Sequence, residues 1–194
     1  MIEVGEKAPD FNEKTFYPKQ MQIKPLDSRD YRGKWLILTF HPGDFTFVCA
    51  TDLEGFAEKH EEFEKENAEV LAVSTDTVFS HKVWYETSER VGKVQYPMVE
   101  DIKKNISRAY GFLGDDGMTK RGTVIIDPDG VVQYVSVFHN RLGKDVDHIY
   151  NSFKGLKHLY NNPGTDDRFD IIPACWRDGE EPMKINVPDD VGRM

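Results

Sequence analysis

The chain has 194 residues and a mass of 22.4 kDa, with 39% hydrophobic and 30% charged residues, enough for one globular domain and an appendage. A formal net charge of -9 and a pI near 5.2 argue against a nucleic-acid partner, because phosphate affinity rests on clustered Lys and Arg. MIEVGEKAPDFNEKTF at the start lacks the basic and apolar stretches of a secretory signal, and no apolar run reaches the roughly 18 residues of a membrane span. The expectation is a cytoplasmic chain with no membrane partner.

In chain order, WLILTF at 35–40 is short, apolar and β-prone, and VLAVS at 70–74 repeats that character. Between them, LEGFAEKHEEFEKEN spaces Phe56, His60 and Phe63 as on one helix face, which predicts a β-α-β unit with a parallel strand pair. A second helix is expected from Ser80 to near Gly92, and a short one from Ile102 to Gly111. TVIIDPDGVVQYVSV reads as a hairpin, with turn chemistry at Asp127, Pro128, Asp129 and Gly130. A last helix is expected from Val146 to Leu159, with Val146, Ile149, Phe153, Leu156 and Tyr160 on one face. This order is that of an α/β, thioredoxin-like fold, a central mixed sheet flanked by helices. The domain is expected over residues 1–160.

After Tyr160 the composition turns to Pro, Asp and Gly, which predicts an extended C-terminal arm over 161–194. Its Ile171, Ile172 and Trp176 need cover, either on the chain's own domain or on a partner subunit, and the partner is favoured.

The two cysteines, Cys49 and Cys175, stand 126 positions apart, so there is no disulfide framework and no CxxC pair. Cys49 lies between the strand WLILTF and a helix expected to begin near Thr51, at or in a first turn where unpaired amides and the helix dipole favour an anion. The thiolate is the reactive form of cysteine. Thr46 can add a hydroxyl on the same loop, and Pro42, which has no N–H, can wall the pocket without a competing donor. Arg121, at the start of a strand, is the candidate cation for the sulfur and for a departing oxygen. The alternative for Cys49 is a buried, inert core thiol. The six histidines show no ligand-like spacing, so neither a metal site nor a cofactor is expected.

Pro42, Thr46 and Cys49 within HPGDFTFVCATDL resemble the active-site motif of the peroxiredoxins, and VGEKAPDF, STDTVFSHKVW and RGTVIIDPDGVV extend the likeness to the typical 2-Cys branch. The resemblance covers nearly the whole chain. It implies a thiol-dependent peroxidase acting on hydrogen peroxide and organic hydroperoxides, with Cys49 as peroxidatic cysteine, Thr46 contacting peroxide, Pro42 shielding it and Arg121 beside the thiolate. It also implies a thiol reductant such as thioredoxin or a dedicated flavoprotein reductase, and a homodimer able to assemble into a decamer. The family has proline after the cysteine and glutamate two positions further on, where this chain has Ala50 and Asp52; the shorter Asp52 keeps a carboxylate for an arginine. His41 stands where an aromatic is common. A second family arginine aligns with Lys144 of the pair Gly143-Lys144, and Arg141 lies three residues earlier.

The resolving cysteine of that branch falls at Ile172 here, in IIPACW, and Cys175 appears three residues later. Three extended residues span about 10 Å, a shift that an arm can absorb, so Cys175 remains the candidate resolving residue. The alternatives are a 1-Cys enzyme recycled directly by an external thiol and an added holdase chaperone role. The Gly-Gly-Leu-Gly insertion and the Tyr-Phe pair of oxidation-sensitive members have no counterpart in VGKVQYPMVED or in the chain end NVPDDVGRM.

Overall fold

In the computed structural model, which describes residues 1–190, WLILTF forms a strand over Trp35–Phe40 with all six residues buried. It is the third of seven strands in one sheet: β1 (Asn12–Tyr17), β2 (Gln22–Asp27), β3 (Trp35–Phe40), β4 (Ala68–Ser74), β5 (Met98–Glu100), β6 (Gly122–Ile126) and β7 (Val132–Val137). Their spatial order is β2-β1-β5-β4-β3-β6-β7. β3 and β4 run parallel, from Trp35 opposite Ala68 to Phe40 opposite Val73, and β5 is parallel to β4. The remaining pairs are antiparallel, so the sheet is mixed, as the element order implies. Strands covered on both faces read as continuous apolar runs, which is why β3 and β4 are visible in the sequence. β1, β2 and β5 are not: β2 is a largely exposed edge strand containing Pro25, and polar residues outnumber apolar ones across the pair.

The expected helix between β3 and β4 is broken in two, α1 (Phe47–Glu58) and α2 (His60–Lys65), meeting at Lys59. α3 (Val78–Thr87) opens on Thr77, whose side chain accepts from the Ser80 amide at 3.2 Å. It ends at Thr87 rather than near Gly92, because Ser88 is extended and Val91–Lys93 forms a separate 3-10 turn. α4 (Asn105–Ala109) is started from outside by Asp101, whose carboxylate accepts from the Ile106 and Ser107 amides at 3.0 and 2.7 Å. The β6–β7 hairpin turns as expected, with Gly130 at φ +80° donating to the Asp127 carbonyl at 2.9 Å. Phe40 stacks on Phe112 at 4.5 Å in the core. Gly122 makes room for that ring, since a Cβ there would lie 2.0 Å from Phe112 Cε1.

These elements belong to one compact unit, Met1–Val146, and a second begins at Asp147. The second holds nearly all of α5 (Val146–Asn161), a hairpin of β8 (Arg168–Ile171) and β9 (Met183–Asn186), and α6 (Val187–Asp190). The arm thus carries regular structure that its composition does not signal; its last residues, 191–194, lie outside the described ones. The expectation that a partner covers Trp176 is corrected: its side chain is buried within its own unit, 8% exposed. Gly155 on α5 leaves the space, since a Cβ there would come within 3.2 Å of Ile172 and 3.7 Å of Trp176. Asn151 fastens the same turn, donating to the Trp176 carbonyl at 2.9 Å and accepting from the Asp178 amide at 2.8 Å.

Candidate active site

β3 delivers the chain into a loop, 41–46, that runs directly into α1. Thr46 is the last extended residue (φ -106°, ψ 154°), so α1 starts at Phe47, four residues before the expected Thr51. Cys49 is therefore the third residue of the helix, where backbone amides lack intrahelical partners and the dipole favours negative charge. Its side chain is 1% exposed. Thr46 does not cap these amides; its hydroxyl donates to the Gly43 carbonyl at 2.9 Å. With that proton committed, Thr46 Oγ1 has only lone pairs to offer a substrate. Pro42 is buried at the head of the loop. Phe45, Thr46, Phe47, Ala50 and Trp84 line a groove of about 340 Å³ beside the helix start.

Arg121 enters from the start of β6, 72 residues away in sequence, and is 2% exposed. One terminal nitrogen, Nη2, donates toward Cys49 Sγ at 3.4 Å and to the Asn140 carbonyl at 3.1 Å. The other, Nη1, donates to Asp52 Oδ2. Asp52 follows Cys49 by three residues on α1 and so shares its helix face. The structure thus brings together Cys49, Arg121 and Asp52. Thr46 lines the groove at the helix start and Pro42 is buried at the beginning of the loop, and neither has a hydrogen bond to the sulfur among the described residues. Arg141, the other candidate arginine, is exposed.

Two groups escape the sequence reading. Lys144 donates its amide to Asp52 Oδ1 at 2.8 Å, and its ammonium, with no exposed surface, donates to Thr39 Oγ1 at 2.5 Å and the Phe40 carbonyl at 2.9 Å. The Gly143-Lys144 pair was its sequence signal. The second group is buried behind the loop: Asp44 bridges His41 Nε2 at 3.1 Å and His81 Nδ1 at 2.8 Å, and His81 Nε2 faces the Val99 carbonyl at 3.3 Å. Burial pushes Asp44 up, yet the two histidine hydrogen bonds outweigh it and hold the carboxyl well below its usual range. Burial also lowers His41, against the pull of Asp44. The ligand-type atoms of this trio lie within 4.8 Å of one another, and hydrogen bonds among them account for the cluster. Forty residues separate the histidines, so only the β3–β4–α3 topology unites them.

A buried sulfur at a helix start, facing a fixed guanidinium, is suited to carry negative charge and to pass it to a neighbouring oxygen. Residues 4–135 match the AhpC/TSA family. The chain belongs to this family of peroxiredoxins. It is a thiol peroxidase by that membership. This peroxiredoxin is 40% identical over 186 residues to the chloroplastic 2-Cys peroxiredoxin BAS1 of Arabidopsis thaliana, covering 93% of this chain and 67% of that one. It is also 40% identical to the alkyl hydroperoxide reductase C of Amphibacillus xylanus, over 85% of both. Among solved structures, the reduced 2-Cys peroxiredoxin of Plasmodium vivax superposes with a TM-score of 0.89 at 29% identity, covering 100% of this chain and 98% of that one.

Proposed function

We propose that this peroxiredoxin reduces hydrogen peroxide and organic hydroperoxides through Cys49, and that Cys175 of a partner subunit restores it. The observation that carries the first step is the 3.4 Å approach of the Arg121 guanidinium to a Cys49 sulfur buried in the first turn of α1. The Cys49 thiolate attacks the far peroxide oxygen; an S–O bond forms as the O–O bond breaks, and the leaving oxygen takes a proton from solvent and departs as water or alcohol. Sulfur is oxidised to a sulfenic acid and the peroxide is reduced. Arg121 stabilises charge on both sulfur and leaving oxygen, and Asp52 keeps its planar fork in place. Thr46 Oγ1 accepts the peroxide O–H, which orients the far oxygen toward sulfur. Pro42 closes the loop side without offering a donor.

In the second step the Cys175 thiolate attacks the sulfenic sulfur; an S–S bond forms between subunits as the S–O bond breaks, and the hydroxyl takes a proton from solvent and leaves as water. Support comes from the exposure of Cys175, on a turn at φ +64° whose neighbour Trp176 is anchored. A dithiol reductant such as thioredoxin, or a flavoprotein reductase, then supplies two electrons. Phe45, Phe47 and Phe79 are 58%, 93% and 66% exposed around the site, an apolar surface suited to contact with further copies in a dimer or ring.

Non-reducing electrophoresis after one equivalent of peroxide tests the resolving step. The reading requires a covalent dimer that disappears in both Cys49→Ser and Cys175→Ser. If wild type oxidises at Cys49 but stays monomeric on the gel, an external thiol must reduce the sulfenic acid directly.

A further inference from the structure

Lys144 poses a problem of charge. Its side chain has no exposed surface; what exposure the residue has belongs to its main chain. A buried ammonium is costly unless an anion offsets it. Its two close partners, Thr39 Oγ1 and the Phe40 carbonyl, are neutral. The nearest anion is Asp52 Oδ2, at 4.0 Å, and that oxygen already accepts from Arg121. One carboxylate therefore faces two cations in a space closed to water. Asp52 cannot neutralise both.

The group that can complete the balance is Cys49. With the thiolate present, two cations meet two anions and the cluster is neutral. With a thiol present, it carries one surplus positive charge. If Lys144 loses its proton as the pH rises, the thiolate stays in place with one surplus negative charge, and Arg121 alone is left to stabilise the charge that passes to the leaving oxygen.

We propose that Lys144 is a positioning residue that balances the charge of the Cys49 thiolate, so that peroxide reactivity depends on the lysine's proton. The arrangement rests on the peroxidase reading and adds to it a regulation by pH. Burial pushes Lys144 down to about 8; Asp52 and Cys49 oppose that fall and Arg121 adds to it. The facing groups are Cys49 and Asp52 on α1, Arg121 at the start of β6 and His41 at the end of β3, with the Phe56 ring 5.7 Å away. Of these cations, a guanidinium keeps its charge at any working pH, and His41 is already neutral there because burial lowers it. Lys144 is then the cation whose charge changes in the alkaline range. The Lys144 amide bond to Asp52 Oδ1 survives any side-chain substitution, which separates the ammonium's electrostatic role from the loop's structural one.

The test uses the full-length reduced protein and follows the single-turnover reaction with hydrogen peroxide by tryptophan fluorescence from pH 5 to 10. Thiolate absorbance at 240 nm is recorded in a Cys175→Ser background. The wild-type rate constant falls at least threefold through about pH 8. Lys144→Arg, which keeps a fixed charge, abolishes the fall, and Lys144→Met loses thiolate absorbance at pH 7. A fall near pH 8 that persists unchanged in Lys144→Arg, a wild-type rate flat from pH 7.5 to 9.5, or wild-type thiolate absorbance in Lys144→Met would overturn the proposal. A wild type inert to peroxide would instead sink the peroxidase reading, and the absorbance comparison would still decide whether Lys144 and Cys49 share their charge.

Discussion

Arg121 and Asp52 form an ion pair with side chains only 3% and 1% exposed, and the same guanidinium reaches Cys49 Sγ. A carboxylate that fixes a cation in this way determines where positive charge sits beside the sulfur. Breaking a buried pair from one side leaves the other charge without compensation, at a cost of about 3–5 kcal/mol. Asp52→Asn is therefore expected to lower stability in urea titrations by that order and to slow sulfenic acid formation. Arg121→Met should slow it by about 10²–10³-fold, the scale for removing one donor to a developing oxyanion. Rates within threefold of wild type in both variants would contradict the assigned roles.

Thr46 presents an oxygen whose own proton is engaged by Gly43. Thr46→Ser keeps that geometry and is expected to keep the peroxide rate within a few-fold. Thr46→Val removes the acceptor and should reduce the rate by about 10²-fold, in the range of a lost proton-handling contact. Stopped-flow measurement of the two variants side by side checks this, and equal rates would remove Thr46 from the mechanism.

Within the trio of His41, Asp44 and His81, His41 and Asp44 make stability depend on acid. The unfolded chain protonates His41 near its ordinary 6.5, whereas burial makes the folded chain do so only at lower pH. The unfolded state thus binds more protons just below pH 6.5, and stability declines there by at most about 1.4 kcal/mol per pH unit for this one group. Asp44, held low, keeps its contribution until the pH drops below the ordinary carboxylate range. Urea midpoints measured from pH 7.5 to 5 should fall for wild type. His41→Phe should flatten that decline, and an unchanged slope in the variant would assign it elsewhere.

Excess peroxide is expected to inactivate the enzyme slowly. The stretch VGKVQYPMVED lacks the glycine-rich insertion of oxidation-sensitive relatives, so little holds back disulfide formation before a second oxidation. Turnover followed under rising peroxide, with sulfinic acid read by mass, gives the check; rapid sulfinic acid formation at Cys49 would contradict it.

The sequence was most legible where burial is two-sided or where a local turn dictates geometry. β3 and β4 are predominantly apolar, and Asp127 to Gly130 carry their hairpin in their own chemistry. β1, β2 and β5 depend on pairing partners that lie far along the chain, and their residues alternate too weakly to declare them. The site divides in the same way. Cys49 and Asp52 share a helix face at a spacing visible in the sequence, and Arg121 is marked by its place before a strand. Lys144 was marked only by its place in the Gly143-Lys144 pair, and the bond between Asp44 and His81 is made only by folding.

Intact mass of the reduced protein after one equivalent of hydrogen peroxide tests the central claim most directly, with wild type set against Cys175→Ser and Cys49→Ser. The account predicts that Cys175→Ser gains the mass of one oxygen, mapped to Cys49, and that wild type passes to a disulfide-linked dimer. Cys49→Ser should remain unmodified. Oxygen appearing on Cys175 as readily as on Cys49, or a Cys49 thiol left intact by peroxide, would contradict it.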